Sequence, residues 1–421
     1  MWWQTAPVPG RPPDGDPAPL TGKLPPAALE AFTQGVDGGR DAFGAYVHVP
    51  FCLRRCGYCD FNTYTPGELG SPAVGEASSS YLEALTAEIA LSARVLPARP
   101  FDTVFFGGGT PTLLDPAQIA GILGRLEETF GFAPGVEITT EANPDTVDPA
   151  TSPERLAELA AAGVTRVSLG MQSAVPHVLA TLDRTHDQGA VGRSVEAARD
   201  SGLATSVDLI YGTPGESLDN WRRSLEAAIA LRPDHVSAYA LVVEEGTRLA
   251  AQVRRGEVPA PEDDDEADKY ELAEDLLRAA GYRWYEVSNW SVTEAGVCRH
   301  NEGYWRSGPW WGFGPGAHSH VGGVRWWNVR HPSAYAARLA AGRSPAQARE
   351  ILDPDQRYAE DVMLRIRLAE GLPLERLRPE GRAAVDGVVH DGLADATPGG
   401  RLVLTERGRL LADTVLHRLL V

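Results

Sequence analysis

Tyr46-Val-His-Val-Pro-Phe-Cys52-Leu-Arg-Arg-Cys56-Gly-Tyr-Cys59-Asp-Phe61 is the stretch on which the reading of this chain turns. It opens as an apolar run of strand character and breaks at Pro50. Three cysteines follow with the spacing C-x3-C-x2-C. The chain has four cysteines in all, and the fourth, Cys298, lies far downstream. A disulfide framework needs dispersed cysteines, so this usage points to a reducing compartment and a metal or redox site. Three thiolates can hold three irons of a cubane [4Fe-4S] cluster and leave the fourth iron open to an external chelating ligand. Zinc is the competing reading, because Cys298 or a histidine could complete a tetrahedral set. A buried helix face with cysteines at i, i+4 and i+7 is a third, opposed by Pro50, Gly57 and the charged Arg54 and Arg55.

Outward from this loop, apolar strand-like runs alternate with amphipathic helical stretches. The strand candidates are 46–49, 102–106, 136–140, 166–169, 206–211 and 235–241. Helices are expected at 79–95, 116–130, 155–162, 190–201 and 218–231, each with apolar residues at three- and four-residue spacing. Six β/α repeats imply parallel strands joined by right-handed crossovers, hence an α/β fold built on a partial (β/α)6 TIM-like barrel. Ligands of such barrels sit on the loops after the strands. Four segments follow: a Pro- and Gly-rich extension at 1–42, expected to be disordered; the barrel at 43–255; an aromatic-rich extension at 256–345; and a mainly helical, winged-helix-like unit at 346–421. Residues 284–331 hold seven of the ten tryptophans and four of the ten histidines.

The formal net charge of −18 argues against general nucleic-acid binding, which demands basic surface. No apolar run approaches the ~18 residues of a membrane span. The N-terminus lacks a basic region followed by an apolar stretch, so a cytoplasmic protein is expected, with peripheral membrane contact left open.

Two further segments carry chemistry. Phe105-Phe-Gly107-Gly108-Gly109-Thr110-Pro111-Thr112 follows the second strand, and its glycines let backbone amides approach a ligand closely. Cys298-Arg-His300-Asn301-Glu-Gly-Tyr304-Trp305 lies among the aromatics, where a histidine can ligate haem iron or simply pack.

The stretch from Tyr46 to Cys59 resembles the radical SAM superfamily, in particular the oxygen-independent coproporphyrinogen III oxidase family and its relatives, the HemW-type haem chaperones. The resemblance runs from residue 44 to the C-terminus. It implies that S-adenosylmethionine (SAM) chelates the open iron of a cluster on Cys52, Cys56 and Cys59 and is cleaved to a 5′-deoxyadenosyl radical. By the same carry-over, Gly108, Gly109 and Thr110 meet the methionine group, and Arg184 pairs with its carboxylate, a role suited to a planar guanidinium fork. Glu141, Gln172 and Asp208 are further polar contacts, and Tyr46, Tyr58 and Ala240 complete the lining. The string H-N-x-x-Y-W resembles the haem-associated segment of the chaperones and implicates His300. The decarboxylating oxidases carry a fourth cysteine two residues after the third. Phe61 stands there instead, as it does in the chaperones. The resemblance thus implies a haem chaperone serving haem-requiring acceptor proteins, at the membrane surface or elsewhere, with no nucleic acid and with a homodimer left open. Its alternatives are coproporphyrinogen III oxidation and a zinc-stabilised binding protein.

Overall fold

A computed structural model describes residues 15–35, 41–71 and 73–420. Six parallel strands lie side by side in chain order: β1 Gly44–Val49, β2 Phe101–Gly108, β3 Phe132–Ala142, β4 Arg166–Gln172, β5 Ala204–Tyr211 and β6 His235–Ala240. The helices between them include Val74–Val95, Pro116–Phe130, Arg155–Ala161, Gln188–Asp200 and Leu218–Ala230. Pro116–Phe130 shows why these segments are helices. Pro116 occupies the first turn, Asp115 and Gln118 form a capping box, and Gly131 closes the end at φ 79°. Its buried residues Ile119, Ile122, Leu123, Leu126 and Phe130 make one stripe against the sheet. Every residue of β4 is buried, as a strand covered on both faces requires.

The sheet continues beyond the six strands to thirteen. Past β6 it runs antiparallel through Asn289–Ser291 and Arg283–Glu286. Past β1 it takes in Trp310–Phe313, parallel to β1, then antiparallel strands His318–Val321, Val324–Asn328 and Ala346–Ile351. The aromatic-rich segment is therefore shared between the two ends of one sheet.

The expectation of disorder over residues 1–42 is corrected for the part described. Asp16–Pro17 pairs with Arg349 and Ala348, and Pro26–Gln34 is a helix that buries Ala28 and Phe32. Phe32 packs edge-on against Phe43 at 4.9 Å, and that burial outweighs the Pro-rich composition. Residues 1–14 and 36–40 lie outside the described residues. At the other terminus, helices from Pro354 to Leu419 surround a small sheet of Leu372–Pro373, Arg401–Leu404 and Ala394–Ala396, with an apolar core of its own. Arg409 fastens this unit to the barrel, 2.9 Å from Glu274 and stacked over the Trp284 ring. Among the described residues no helix is long and apolar enough to cross a membrane.

Candidate functional site

The cysteine loop leaves the C-terminal end of β1 and is fixed at both ends by backbone pairing. The Cys52 amide donates to the Tyr64 carbonyl at 3.1 Å, and the Tyr64 amide to the Pro50 carbonyl at 2.7 Å. Arg55 crosses the loop to the Thr63 carbonyl and pairs with Glu68 at 3.3 Å. Gly57 has no room for a side chain, because a Cβ there would stand 2.5 Å from Asp183 Oδ2. Cys52, Cys56 and Cys59 are free and half-exposed at the barrel mouth. Burial, and the mutual repulsion of neighbouring thiolates, pushes Cys59 up to about 12 and raises Cys52, which Thr110 partly offsets by donating to its sulfur at 3.9 Å.

The glycine loop after β2 locks onto the cysteine loop. Gly109 N donates to the Val49 carbonyl and Thr110 N to the Phe51 carbonyl, at 2.8 and 2.7 Å. A Cβ on Gly109 would lie 2.4 Å from the Phe51 oxygen, and Gly108 needs its φ of +107°. Gly108 N donates to Glu141 Oε2 at 3.2 Å, and Asn143 supports Thr110 at 3.0 Å.

Below the mouth the barrel holds two half-buried carboxyl residues, Glu141 and Asp208. Burial, then the nearby Asp208, pushes Glu141 up to about 8. Burial also raises Asp208, against hydrogen bonds from Ser168 and Ser237 of 2.8 Å each. Arg184 reaches in from the segment after β4, donating to Cys56 Sγ at 3.6 Å and to the Gly170 carbonyl at 2.8 Å. Gln172 ends β4 in the left-handed region at φ 63°, beside a register shift against β5. Tyr58 packs half-buried against the cluster around Val175 and Val178, and Ala240 closes β6 opposite Tyr211. The structure thus gathers the three cysteines, Gly108, Gly109, Thr110, Glu141, Gln172, Arg184, Asp208, Tyr46, Tyr58 and Ala240 on the loops, strand ends and inner face at one end of the barrel.

Tyr46 carries two partners that sequence reading missed. Its hydroxyl stands 3.0 Å from His48 Nδ1, and His48 Nε2 stands 2.9 Å from the Asn62 carbonyl. The carbonyl can only accept, so Nε2 bears the proton and Nδ1 accepts from Tyr46. Burial lowers His48 to about 4, which keeps the ring neutral for this relay. The Asn62 side chain then ties the cysteine loop to the Pro315 and Arg330 carbonyls at 2.9 and 2.8 Å. Nothing in the local sequence marks these contacts, whose ends lie more than 250 residues apart.

His300 and Cys298 are elsewhere. Helix Arg299–Trp305 closes the opposite, N-terminal end of the barrel, where Glu137, midway along β3, accepts from the His300 amide and lies 3.8 Å from Cys298 Sγ. His300 is 3% exposed. Its Nδ1 meets Thr103 Oγ1 at 2.8 Å, its Nε2 meets the Tyr304 hydroxyl at 2.7 Å, and its ring stacks on Phe105 at 5.1 Å. Burial lowers it to about 3. Cys298, buried at that far end, cannot join the three cysteines as a fourth zinc ligand. Cys298→Ser is accordingly expected to leave the iron content of anaerobically reconstituted protein at the wild-type value. A fall toward half, by iron and sulfide assay, would place Cys298 in the metal site after all.

Comparison with known proteins bears on the family and the fold. Residues 46–228 match the radical SAM superfamily. The chain is 54% identical over 379 residues to the heme chaperone HemW of Mycobacterium tuberculosis, spanning 90% of this chain and 95% of that protein. It is 32% identical over 381 residues to the heme chaperone HemW of Bacillus subtilis, spanning 88% and 97%. The structure of coproporphyrinogen III oxidase (HemN) from Escherichia coli, a radical SAM enzyme, superposes with a TM-score of 0.74 over 90% of each chain at 24% identity, a likeness of fold. On identity sustained across nearly the whole of its relatives, the chain belongs to the HemW family of the radical SAM superfamily.

Proposed function

We propose that this chain is a haem chaperone, which binds haem and hands it to haem-requiring acceptor proteins in the cytoplasm. The observation that carries the reading is the 54% identity with a protein named heme chaperone HemW over 95% of that protein's length. Phe61 supports it. The side chain is 57% exposed beside the cysteine loop, at the position where the decarboxylating oxidases have cysteine.

Membership of the superfamily implies a [4Fe-4S] cluster and SAM, and the residues present fit both. Three thiols stand together on one loop, and burial disfavours ionisation of Cys52 and Cys59, which suits them to a cationic cluster that would draw off their protons. Two carboxyls with raised pKa values suit a ligand bearing ammonium and sulfonium charge. In this reading Cys52, Cys56 and Cys59 hold the cluster. Gly108, Gly109, Thr110, Glu141, Gln172, Arg184 and Asp208 hold SAM, with Tyr46, Tyr58 and Ala240 around it. Bound together, the two groups supply one-electron chemistry. The chain's own contribution is to orient them and to keep Tyr46 protonated, since burial and then Glu141 disfavour its ionisation.

The test is anaerobic reconstitution of the full chain followed by haem titration and transfer to an apo-haem protein. A saturable Soret shift and loss of that band to the acceptor are expected. Absence of any Soret shift sinks the reading. Conversion of coproporphyrinogen to protoporphyrinogen with SAM and a reductant would replace it with the oxidase.

A further inference from the structure

The segment with the sequence signature for haem offers no open ligand. Both ring nitrogens of His300 are engaged, and its ring is enclosed by Phe105, Thr103 and Tyr304. The sheet extension beyond β1 offers another imidazole. Residues directly opposite one another in neighbouring strands project from the same face of a sheet, and alternate residues of one strand share it. Trp310 stands opposite Gly44, and Gly312 opposite Tyr46, so Trp310 lies on the face that Tyr46 turns into the barrel. His320 stands opposite Trp310, Arg325 opposite His320, and Trp327 opposite His318. The inner face of the barrel therefore continues outward as a surface bearing Trp310, His318, His320, Arg325 and Trp327.

On that surface His318 is exposed, and neither of its ring nitrogens has a hydrogen-bond partner among the described residues. Its ring lies 5.8 Å from that of Trp327 at 26°, backed by an indole that is 2% exposed and so cannot move away. The Trp310 indole donates to the His318 carbonyl at 2.9 Å, which fixes the backbone beneath the ring. The Trp310 and His320 rings lie beside one another, with centroids 5.2 Å apart and planes tilted by 52°. The surrounding protein, then Arg325 and Arg330, lowers the pKa of His318, so the imidazole is neutral and keeps a lone pair for a metal. His320 is less available, with Nδ1 facing the Gly308 carbonyl at 3.4 Å.

We propose that His318 is the ligand through which this chain holds haem iron, the metal meeting the exposed edge of the imidazole while Trp327 backs its face and Trp310 lies beside it. The ligand chemistry fits on three counts. An imidazole with free nitrogens suits haem iron. Aromatic rings offer a planar apolar macrocycle a matching surface. Arg330, near the ring in a chain of net charge −18, brings a positive charge toward a carboxylate side chain of haem. Arg325 is already neutralised by Glu350 and Glu360 at 2.7 and 2.6 Å and adds none. This rests on the haem-chaperone reading and supplies its binding site.

The experiment is titration of the anaerobically reconstituted full chain with haemin, comparing wild type, His318→Ala and His300→Gln by Soret and visible spectra. His318→Ala is expected to lose the imidazole-ligated spectrum and to bind haemin at least about tenfold more weakly, a factor equivalent to about 1.4 kcal/mol. Iron content and SAM affinity should stay at wild-type values, and added imidazole should restore the spectrum. His300→Gln should keep it. A wild-type spectrum and affinity in His318→Ala overturns the assignment while the chaperone reading stands. Wild-type protein that binds no haemin overturns both.

Discussion

Gly109→Ala is expected to leave the reconstituted protein with less than about a tenth of the wild-type iron and to destabilise it by about 3 kcal/mol or more, the upper range for forced overpacking. The reason lies in what the new methyl would touch. Its nearest neighbours are the Phe51 carbonyl oxygen and carbon at 2.4 and 2.9 Å and the Val49 carbonyl oxygen at 2.9 Å. These are backbone atoms, and they cannot swing aside as a side-chain tip can. Those two carbonyls also accept the Gly109 and Thr110 amides, the bonds that hold the glycine loop to the start of the cysteine loop. Relieving the clash means parting the loops, which moves Cys52 relative to Thr110 and opens the site to solvent. Gly121→Ala is the control. Gly121 sits on the exposed face of Pro116–Phe130 with nothing within 4 Å of a new Cβ, so alanine should stabilise by about 0.5–1 kcal/mol and leave iron unchanged. Iron assay and thermal unfolding of both variants give the answer, and full iron retention by Gly109→Ala would show that the loops can separate harmlessly.

Much of this arrangement was legible in the chain because it rests on local rules. The strand and helix periods place β1 to β6 within a few residues of their ends, and Pro116–Phe130 carries its own start and stop signals. The cysteine loop announces itself through spacing alone. The parts that were not legible depend on distant partners. Strands Trp310–Phe313 and His318–Val321 are four residues each, mix Trp, His and Gly, and lack a clean apolar alternation. The pairing of Trp310–Phe313 with β1 spans some 260 residues, so no local window contains it. Residues 15–35 mislead for the opposite reason. Their composition is that of a linker, yet Leu24, Ala28 and Phe32 bury against a core built from the rest of the chain. His300 could not be placed from its motif, since a histidine among aromatics reads equally as a ligand and as a satisfied core residue. Its ring nitrogens meet residues 197 and 4 positions away, the first of which no local window contains.

The carboxyl of Glu141 makes the second large effect, and its two halves have opposite signs. Glu141→Gln should weaken SAM binding by about a hundredfold, the order expected when a buried group loses its charged partner. The same change should stabilise the protein free of SAM. Burial, reinforced by Asp208, lifts this carboxyl from 4.5 to about 8. In the unfolded chain it ionises near its ordinary value, while the folded chain holds the proton up to the raised one. Stability contributed by this group is therefore present below about pH 4.5 and is lost as the pH rises toward 8, at about 1.4 kcal/mol per unit. At pH 7 that amounts to roughly 3 kcal/mol, and glutamine, which never ionises, escapes it. The amide oxygen of the substituted side chain can still accept from Gly108 N, so the loop keeps its anchor. A cationic ligand reverses the balance, because it favours the carboxylate. Wild-type SAM affinity should accordingly climb from pH 6 to pH 8 with release of a proton, and the Glu141→Gln variant should show a flat profile. Calorimetric titration across this range, in buffers of different ionisation enthalpy, reads both the slope and the proton. A flat wild-type profile, or a Glu141→Gln variant that binds SAM as well as wild type, would remove Glu141 from the ligand and leave it as a structural acid. With a proton-coupled slope in the wild type alone, the raised pKa would tie occupancy of the pocket to loss of one proton from Glu141.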